Sequence, residues 1–481
     1  GGISVGFSGE IMVGIKSYGV YLPVYQLSSE ILQRAWGRPG GKGTKVISNY
    51  DEDSLTMAVG AALECLEDTD IKTVEGLYFS STTPPYGEKM NASVVATALD
   101  MNRNALTMDV GSSLRSGTGA LRVALDTVSS GSRNNILMVA SDSRLAEPGS
   151  YLEPFLGDGA VSFLVGNDKP IVDVIDHYSV FDGFPDVWRK QNERFLRHDD
   201  IRYSRTEDYA RNMKDALEGL FSIGNYQAED FSKVVLFSPD PRSHEFLAKS
   251  LGFSPEQVQD PLLDKTGMIG SGHALMMLAA ALDKSKPDDL ILFANYGDGA
   301  EVFSVRATKF IEGFERDTIP EIERERKSIG SYTRYLSFRD LVGDYELTTP
   351  FSAIPLLRRE EELNIRLHGK KCKGCGTVMT LALKTCPHCK SAKEFDDVKL
   401  TKRGKVVTFS QEYYYPTPEP PITMTVIDLE GGGRILAQMT DAQAEDVKVD
   451  MPVELTFRKL HTGGGFVNYS WKCRPIPGGG A

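Results

Sequence analysis

Up to about residue 310 the chain alternates two kinds of apolar pattern. Glu75-Gly-Leu-Tyr-Phe-Ser80 is a short run that predicts a strand, and the loop Thr82-Thr-Pro-Pro-Tyr86 follows it. Residues 117–128 and 55–66 have helical spacing, whereas Asn135-Ile-Leu-Met-Val-Ala140 is apolar on both faces. A strand without a polar face belongs in a sheet covered by helices. The expected class is layered α/β.

Gly157-Asp-Gly-Ala160 precedes the apolar strand 161–165, and the same tetrapeptide returns as Gly297-Asp-Gly-Ala300 ahead of 301–305. Two copies about 140 residues apart suggest a duplicated half-domain; two unrelated tight turns are the competing reading. Residues 311–360 change character. Glu312 to Arg326 is highly charged, and Thr348-Thr-Pro-Phe-Ser352 breaks any continuing helix, so the stretch is read as a connector. Beyond it, short alternating strands are predicted at 404–410, 422–427, 434–439, 453–457 and 465–470, as in a small closed barrel.

A length of 481 residues exceeds one core and suggests about three domains. The net charge of −12 argues against nucleic acid or anionic membranes as partners. No apolar stretch approaches the ~18 residues of a spanning helix. Residues 1–11, ahead of Met12, lack a basic region and a cleavage site, so no signal peptide is read there. Four of the six cysteines cluster near residue 380, and Cys65 and Cys473 stand alone. A secreted disulfide framework would spread them, so a reducing, cytoplasmic location is expected.

Cys372-x-x-Cys375 and Cys386-x-x-Cys389 can place four thiolates around one ion. With every position filled and none left for water, a structural zinc is expected; two redox dithiols are the alternative. His388 is surplus to four thiolates and is expected to face solvent. A ribbon beside a barrel also suggests nucleic acid, but the tail carries no basic stripe interleaved with aromatics.

The last ~120 residues, with Ala437-Gln-Met-Thr-Asp441 and Glu445-Asp-Val-Lys-Val449, resemble the family that joins a rubredoxin-like zinc ribbon to an OB-fold. Residues 13 to about 310 resemble hydroxymethylglutaryl-CoA synthases, particularly the archaeal type. The motifs are Gly14-Ile-Lys-Ser-Tyr-Gly-Val-Tyr-Leu-Pro23, Asp51-Glu-Asp-Ser-Leu-Thr-Met-Ala-Val59, Phe184-Pro-Asp-Val-Trp-Arg189 and the two Gly-Asp-Gly-Ala repeats. The resemblance implies a duplicated αβαβα thiolase fold, a homodimer and an acyl-CoA thioester substrate. On this reading 13–170 and 171–310 are the thiolase halves, 311–360 the connector, 361–395 the zinc ribbon and 396–481 an all-β OB-fold barrel.

At the positions that carry catalysis in that family the sequence departs. Anchoring on Gly117-Thr118 puts Leu114 where the nucleophilic cysteine would stand. The catalytic glutamate, histidine and asparagine positions read Thr82, Phe237 and Met268. Cys65, on its expected helix, is a buried thiol by default. Gly270-Ser-Gly-His273 resembles the Gly-His-Pro loop of thiolases, whose histidine contributes to an oxyanion hole; a histidine satisfied by backbone at a helix start is the alternative.

Claisen chemistry proceeds through an acyl-enzyme and requires a nucleophile. Ser112, Ser113 or Ser116 would need a neighbouring base. Aldol and retro-aldol reactions need only a base at a β-hydroxyl and donors for the enolate oxygen. The layout also resembles thiolase-like aldolases that cleave steroid side chains with a zinc-ribbon/OB partner. The expected function is C–C cleavage or formation on a β-hydroxyacyl-CoA. His273 would hold the thioester oxygen and Tyr296 transfer the proton, with Glu88 as reserve base and Ser113 and Thr82 contacting substrate. Two other readings remain: a Claisen-type synthase or acyltransferase using another nucleophile, and a non-catalytic scaffold that binds acyl-CoA for a partner thiolase.

Overall fold

The computed structural model describes residues 12–37, 43–314, 318–343, 353–380, 383–390, 392 and 394–476. The opening residues 1–11 and the helix-breaking stretch 348–352 lie outside them. The chain forms two compact units. The first holds residues 1–48, 57–96 and 101–332, and the second 49–56, 97–100 and 333–481. The division falls inside the stretch read as a connector. Two short N-terminal segments belong to the second unit, which the sequence boundaries do not anticipate.

Nine strands of the first unit form one sheet. In chain order they are β1 (Gly14–Tyr21), β2 (Gly76–Ser81), β3 (Leu106–Gly111), β4 (Asn135–Ser143), β5 (Asp158–Gly166), β6 (Val172–Phe181), β7 (Lys233–Leu236), β8 (Leu290–Tyr296) and β9 (Gly299–Ala307). Their order across the sheet is β7-β8-β9-β6-β1-β5-β4-β2-β3. From β1 outward, β5 and β4 add antiparallel, then β2 and β3 parallel. From β6 outward, β9 and β8 add antiparallel, β7 parallel, and an isolated parallel bridge from Val234 to Val258 stands in the fifth place. The two halves thus repeat one topology, and each Gly-Asp-Gly-Ala repeat opens the second strand of its half, β5 or β9. This is the duplicated αβαβα thiolase fold.

The fully apolar strands predicted for a covered sheet are fully covered: every residue of β2 and β5 is buried. Two helices pack among them, α1 (Ser116–Ser129) and α2 (His273–Leu282). All ten residues of α2 are buried, consistent with its run of leucine, methionine and alanine. Space is tight at α1, where a Cβ on Gly117 would lie 2.2 Å from the Ser271 carbonyl oxygen.

In the second unit, His368–Cys372, Val378–Met379 and Phe395–Lys399 form a small sheet around the cysteine knuckles. Five strands, Arg403–Glu412, Ile422–Leu429, Arg434–Gln438, Pro452–Gly463 and Phe466–Pro475, make the OB-fold sheet. Segment 49–56 brings buried Asp51 and Glu52 into this unit. Arg458 pairs with Asp441 at 2.7 Å, Glu52 at 3.0 Å and Asp51 at 3.4 Å, and Lys472 pairs with Asp51 at 2.9 Å. Buried charges are tolerable only when paired in this way. Among the described residues, no helix is long and apolar enough to cross a membrane.

Candidate active site

The carboxyl ends of β3, β7 and β8 deliver side chains to one cavity of the first unit, the usual place for a ligand in an α/β sheet. Leu114 sits between the end of β3 and the start of α1, after a turn in which Ser112 adopts φ 79°. Left-handed backbone at a non-glycine residue is uncommon and concentrates at functional sites. Gly297, from the second repeat, allows the close approach here: a Cβ would lie 2.8 Å from the Arg115 nitrogen and 3.0 Å from the Leu114 Cβ. Phe237 follows β7 directly, Tyr296 ends β8, and Met268 bridges to Leu156 just before α2.

Leu114, Phe237 and Met268 all line this cavity, with Phe155 and Leu196 extending the apolar wall. The three positions aligned with the cysteine, histidine and asparagine therefore converge, carrying no nucleophile and no proton donor. Cys65 and Cys473 are buried elsewhere, and none of the six cysteines lines the cavity. The cavity has a volume of about 80 Å³ and is partly open to solvent.

Polar chemistry enters from Tyr296, Asp186, Arg144 and His198. The Tyr296 hydroxyl lies 2.7 Å from Asp186 Oδ2 and still closer to Asp208 Oδ2. One phenol has one proton, so two carboxylates converging on it cannot both accept it. Burial raises the pKa of both carboxyl groups, and burial, reinforced by the two carboxylates, pushes the phenol far above its usual range. The trio therefore keeps a proton at a pH where isolated carboxyls have lost theirs. Asn212 donates to Asp208 at 2.6 Å and the Val187 amide to Asp186 at 2.6 Å, which fixes both carboxyls. His198 donates from Nδ1 to the Asp199 carbonyl at 2.9 Å, since a carbonyl can only accept.

The other expected residues are placed differently. His273 is completely buried and absent from the cavity wall. Its Nε2 donates to the Pro261 carbonyl at 2.9 Å, and its Nδ1 accepts from the Ile269 amide at 3.4 Å. Burial lowers its pKa to about 4, so the ring is neutral with both nitrogens engaged and offers no donor to a thioester. Thr82 donates its hydroxyl to Asp142 Oδ1 at 3.0 Å, away from the cavity. Ser113 accepts from the Arg115 amide at 3.2 Å; its neighbour Leu114, not Ser113, reaches the lining. Glu88 is exposed on the loop after β2 and does not reach the cavity. Of the expected catalytic set, only Tyr296 stands at the site.

Asp186, Asp208, Arg144 and His198 were not singled out from sequence. Asp186 lies in the Phe184–Arg189 motif, which carried the family resemblance without a chemical reading. Asp208 lies in the π-helical turn Ser204–Ala210, and its approach to Tyr296 is purely tertiary.

In the second unit the four sulfurs of Cys372, Cys375, Cys386 and Cys389 lie within 4.8 Å of one another. Cys372 and Cys389 are 3.8 Å apart, and Cys375 and Cys386 3.6 Å. A tetrahedral S4 site with Zn–S bonds of about 2.3 Å has sulfur–sulfur edges of about 3.8 Å. The donor set and its geometry fit zinc, with no position left for water. His388 is exposed and outside this set.

Comparisons with known proteins bear on both units. A family model described as ChsH2, C-terminal OB-fold domain, matches residues 397–458. A protein of Archaeoglobus fulgidus named hydroxymethylglutaryl-CoA synthase is 32% identical over 340 residues, spanning 68% of this chain and 98% of its own. The protein of the same name from Methanopyrus kandleri is 31% identical over 323 residues, spanning 65% and 92%. Among solved structures, MvaS in complex with 3-hydroxy-3-methylglutaryl coenzyme A gives a TM-score of 0.61 at 20% identity, covering 71% of this chain and 94% of that one. An HMG-CoA synthase complexed with CoA gives 0.62 at 19% identity, covering 70% and 92%. At those identities the structures establish the fold.

Proposed function

We propose that this chain, which belongs to the hydroxymethylglutaryl-CoA synthase family, acts on a β-hydroxyacyl-CoA without an acyl-enzyme, making or breaking a C–C bond by aldol-type chemistry. One observation carries the reading: Leu114, Phe237 and Met268 converge on a cavity also lined by Tyr296 and Asp186, with Asp208 bonded to the Tyr296 hydroxyl. In the cleavage direction the Asp186–Tyr296 pair accepts the β-hydroxyl proton, the Cα–Cβ bond breaks, and a ketone or aldehyde leaves. The electron pair remains as the thioester enolate, which then takes a proton at Cα from the same cluster. Asp208 and Asn212 hold the phenol in place. The substrate class agrees with the 3-hydroxyacyl-CoA named in a related structure.

Purified protein given β-hydroxyacyl-CoA thioesters should release a shorter acyl-CoA and a carbonyl product, detected by coupled chromatography and mass spectrometry. Iodoacetamide, under conditions that retain zinc, should leave turnover unchanged. An acyl adduct isolated on the protein would instead establish the second reading, a Claisen-type synthase, which the names of the archaeal relatives favour. The third reading, a scaffold for a partner thiolase, requires binding without turnover.

The strand β3 supports self-association. It ends the sheet order, is exposed or half-buried along its length, and leaves one row of backbone groups without a strand partner among the described residues. We take a homodimer paired at this edge as the working form, in a reducing cytoplasm that keeps the four zinc-site thiolates reduced. Light scattering should give twice the chain mass, and a monomer would refute it.

A further inference from the structure

Arg144, just beyond the end of β4, stands on the wall of the cavity and is 5% exposed. A buried guanidinium is ordinarily paired with a carboxylate, because leaving it unpaired is costly. Among the described residues its one hydrogen bond runs from Nη1 to the thioether sulfur of Met268 at 3.6 Å, a weak acceptor. Its Nε is buried with no hydrogen-bond partner among the described residues.

The carboxylates near enough to act on its charge are Asp142 and Asp186, and both are committed. Asp142 Oδ1 accepts from the Ser81 hydroxyl and from the amides and hydroxyls of Thr82 and Thr83, at 2.7 to 3.0 Å. Its Oδ2 accepts from the Ser271 amide at 2.7 Å. Asp186 is held by Tyr296 and its own following amide. The protein thus places a cation in its reaction cavity, next to its proton-transfer cluster, and no carboxylate among the described residues is hydrogen-bonded to it.

We propose that Arg144 binds the thioester oxygen as it becomes the enolate oxyanion, an assignment that rests on the aldol-type reading above. The neutral thioester presents this oxygen with only a partial charge. When the Cα–Cβ pair moves into the thioester, a full negative charge forms within reach of the planar guanidinium, and it is discharged when Cα takes its proton back from the Tyr296 cluster. No oxidant or second reactant is needed. Arg144 fills the role that His273, engaged by backbone on both nitrogens, cannot.

The test uses two unreactive CoA thioethers on the full-length protein. S-carboxymethyl-CoA places a carboxylate where the enolate would form, and S-ethyl-CoA is its neutral counterpart. Calorimetry should show the anionic ligand binding about 10- to 100-fold tighter to wild type, the worth of a charge-assisted hydrogen bond. Arg144→Met should erase that preference and leave S-ethyl-CoA binding unchanged, while Arg144→Lys should keep part of it. Turnover in Arg144→Met should fall about 10²- to 10³-fold. Equal binding of the two ligands by wild type, a measurement independent of any variant's folding, overturns the assignment, as does a preference that survives in Arg144→Met. If neither ligand binds wild type, the acyl-CoA reading is lost and this assignment with it. If the Arg144-dependent preference is present but no β-hydroxyacyl-CoA is cleaved, the anion site stands and the reaction reading alone falls.

Discussion

Acidifying the protein from pH 7 to pH 4 should remove a defined share of its stability through His273. The ordinary imidazole value of 6.5 drops to about 4 in the fold because burial disfavours the cation. At 1.36 kcal/mol per pH unit, the difference corresponds to about 3 kcal/mol. The folded-state value lies below the unfolded one, so the unfolded chain takes the proton first. The contribution is whole above pH 6.5, declines between 6.5 and 4, and is absent below 4. Buried carboxyls run the other way: Asp173, raised to about 6, and Asp186, Asp208 and Asp283 hold protons that the unfolded chain has already released. The wild-type profile is therefore a sum of opposed terms. His273→Gln, whose amide can still donate to the Pro261 carbonyl, isolates the histidine. Urea unfolding at half-unit steps should give a wild-type-minus-variant difference that falls by about 3 kcal/mol between pH 6.5 and 4. A flat difference would refute the structural assignment. So would a variant with unchanged stability profile that has lost all turnover, since His273 would then touch the chemistry.

Tyr296→Phe removes the shared proton carrier and should reduce turnover about 10²- to 10⁴-fold with little change in KM, as steady-state kinetics can check. Arg458→Met removes the cation shared by Asp51, Glu52 and Asp441 and should destabilise the second unit by about 3–5 kcal/mol, read as a lowered unfolding midpoint. Metal analysis should find one zinc per chain. Cys375→Ser with Cys389→Ser should abolish it, and a strong chelator should lower the second unit's melting temperature in the wild type alone.

The layered architecture was legible because periodicity reports burial, and strands such as Asn135–Ser143 lie in a doubly covered sheet. The Gly-Asp-Gly-Ala echo revealed the duplication, because both copies must make the same turn into the second strand of a half. The substitution pattern at Leu114, Phe237 and Met268 was also readable from aligned motifs, and the cavity shows these positions meeting. His273 misled because a Gly-rich turn before a buried helix has the same local sequence whether its ring faces a ligand or a carbonyl. Asp208 and Arg144 were invisible because their significance comes from neighbours more than 80 positions away, Tyr296 for one and Met268 for the other. The allocation of Asp51 and Glu52 to the second unit had the same cause.

That allocation constrains how this protein can be made and divided. Asp51 and Lys472 meet although they are 421 positions apart in the chain. A ribosome therefore releases the acidic segment long before its basic counterparts exist, and the segment must stay hydrated until the last strands emerge. A polypeptide cut between Tyr332 and Thr333 would separate Asp51 and Glu52 from Arg458 and Lys472, leaving Asp441 as the remaining carboxylate partner of Arg458. The tail therefore shares its buried charge pairs with residues 49–56 of the same unit.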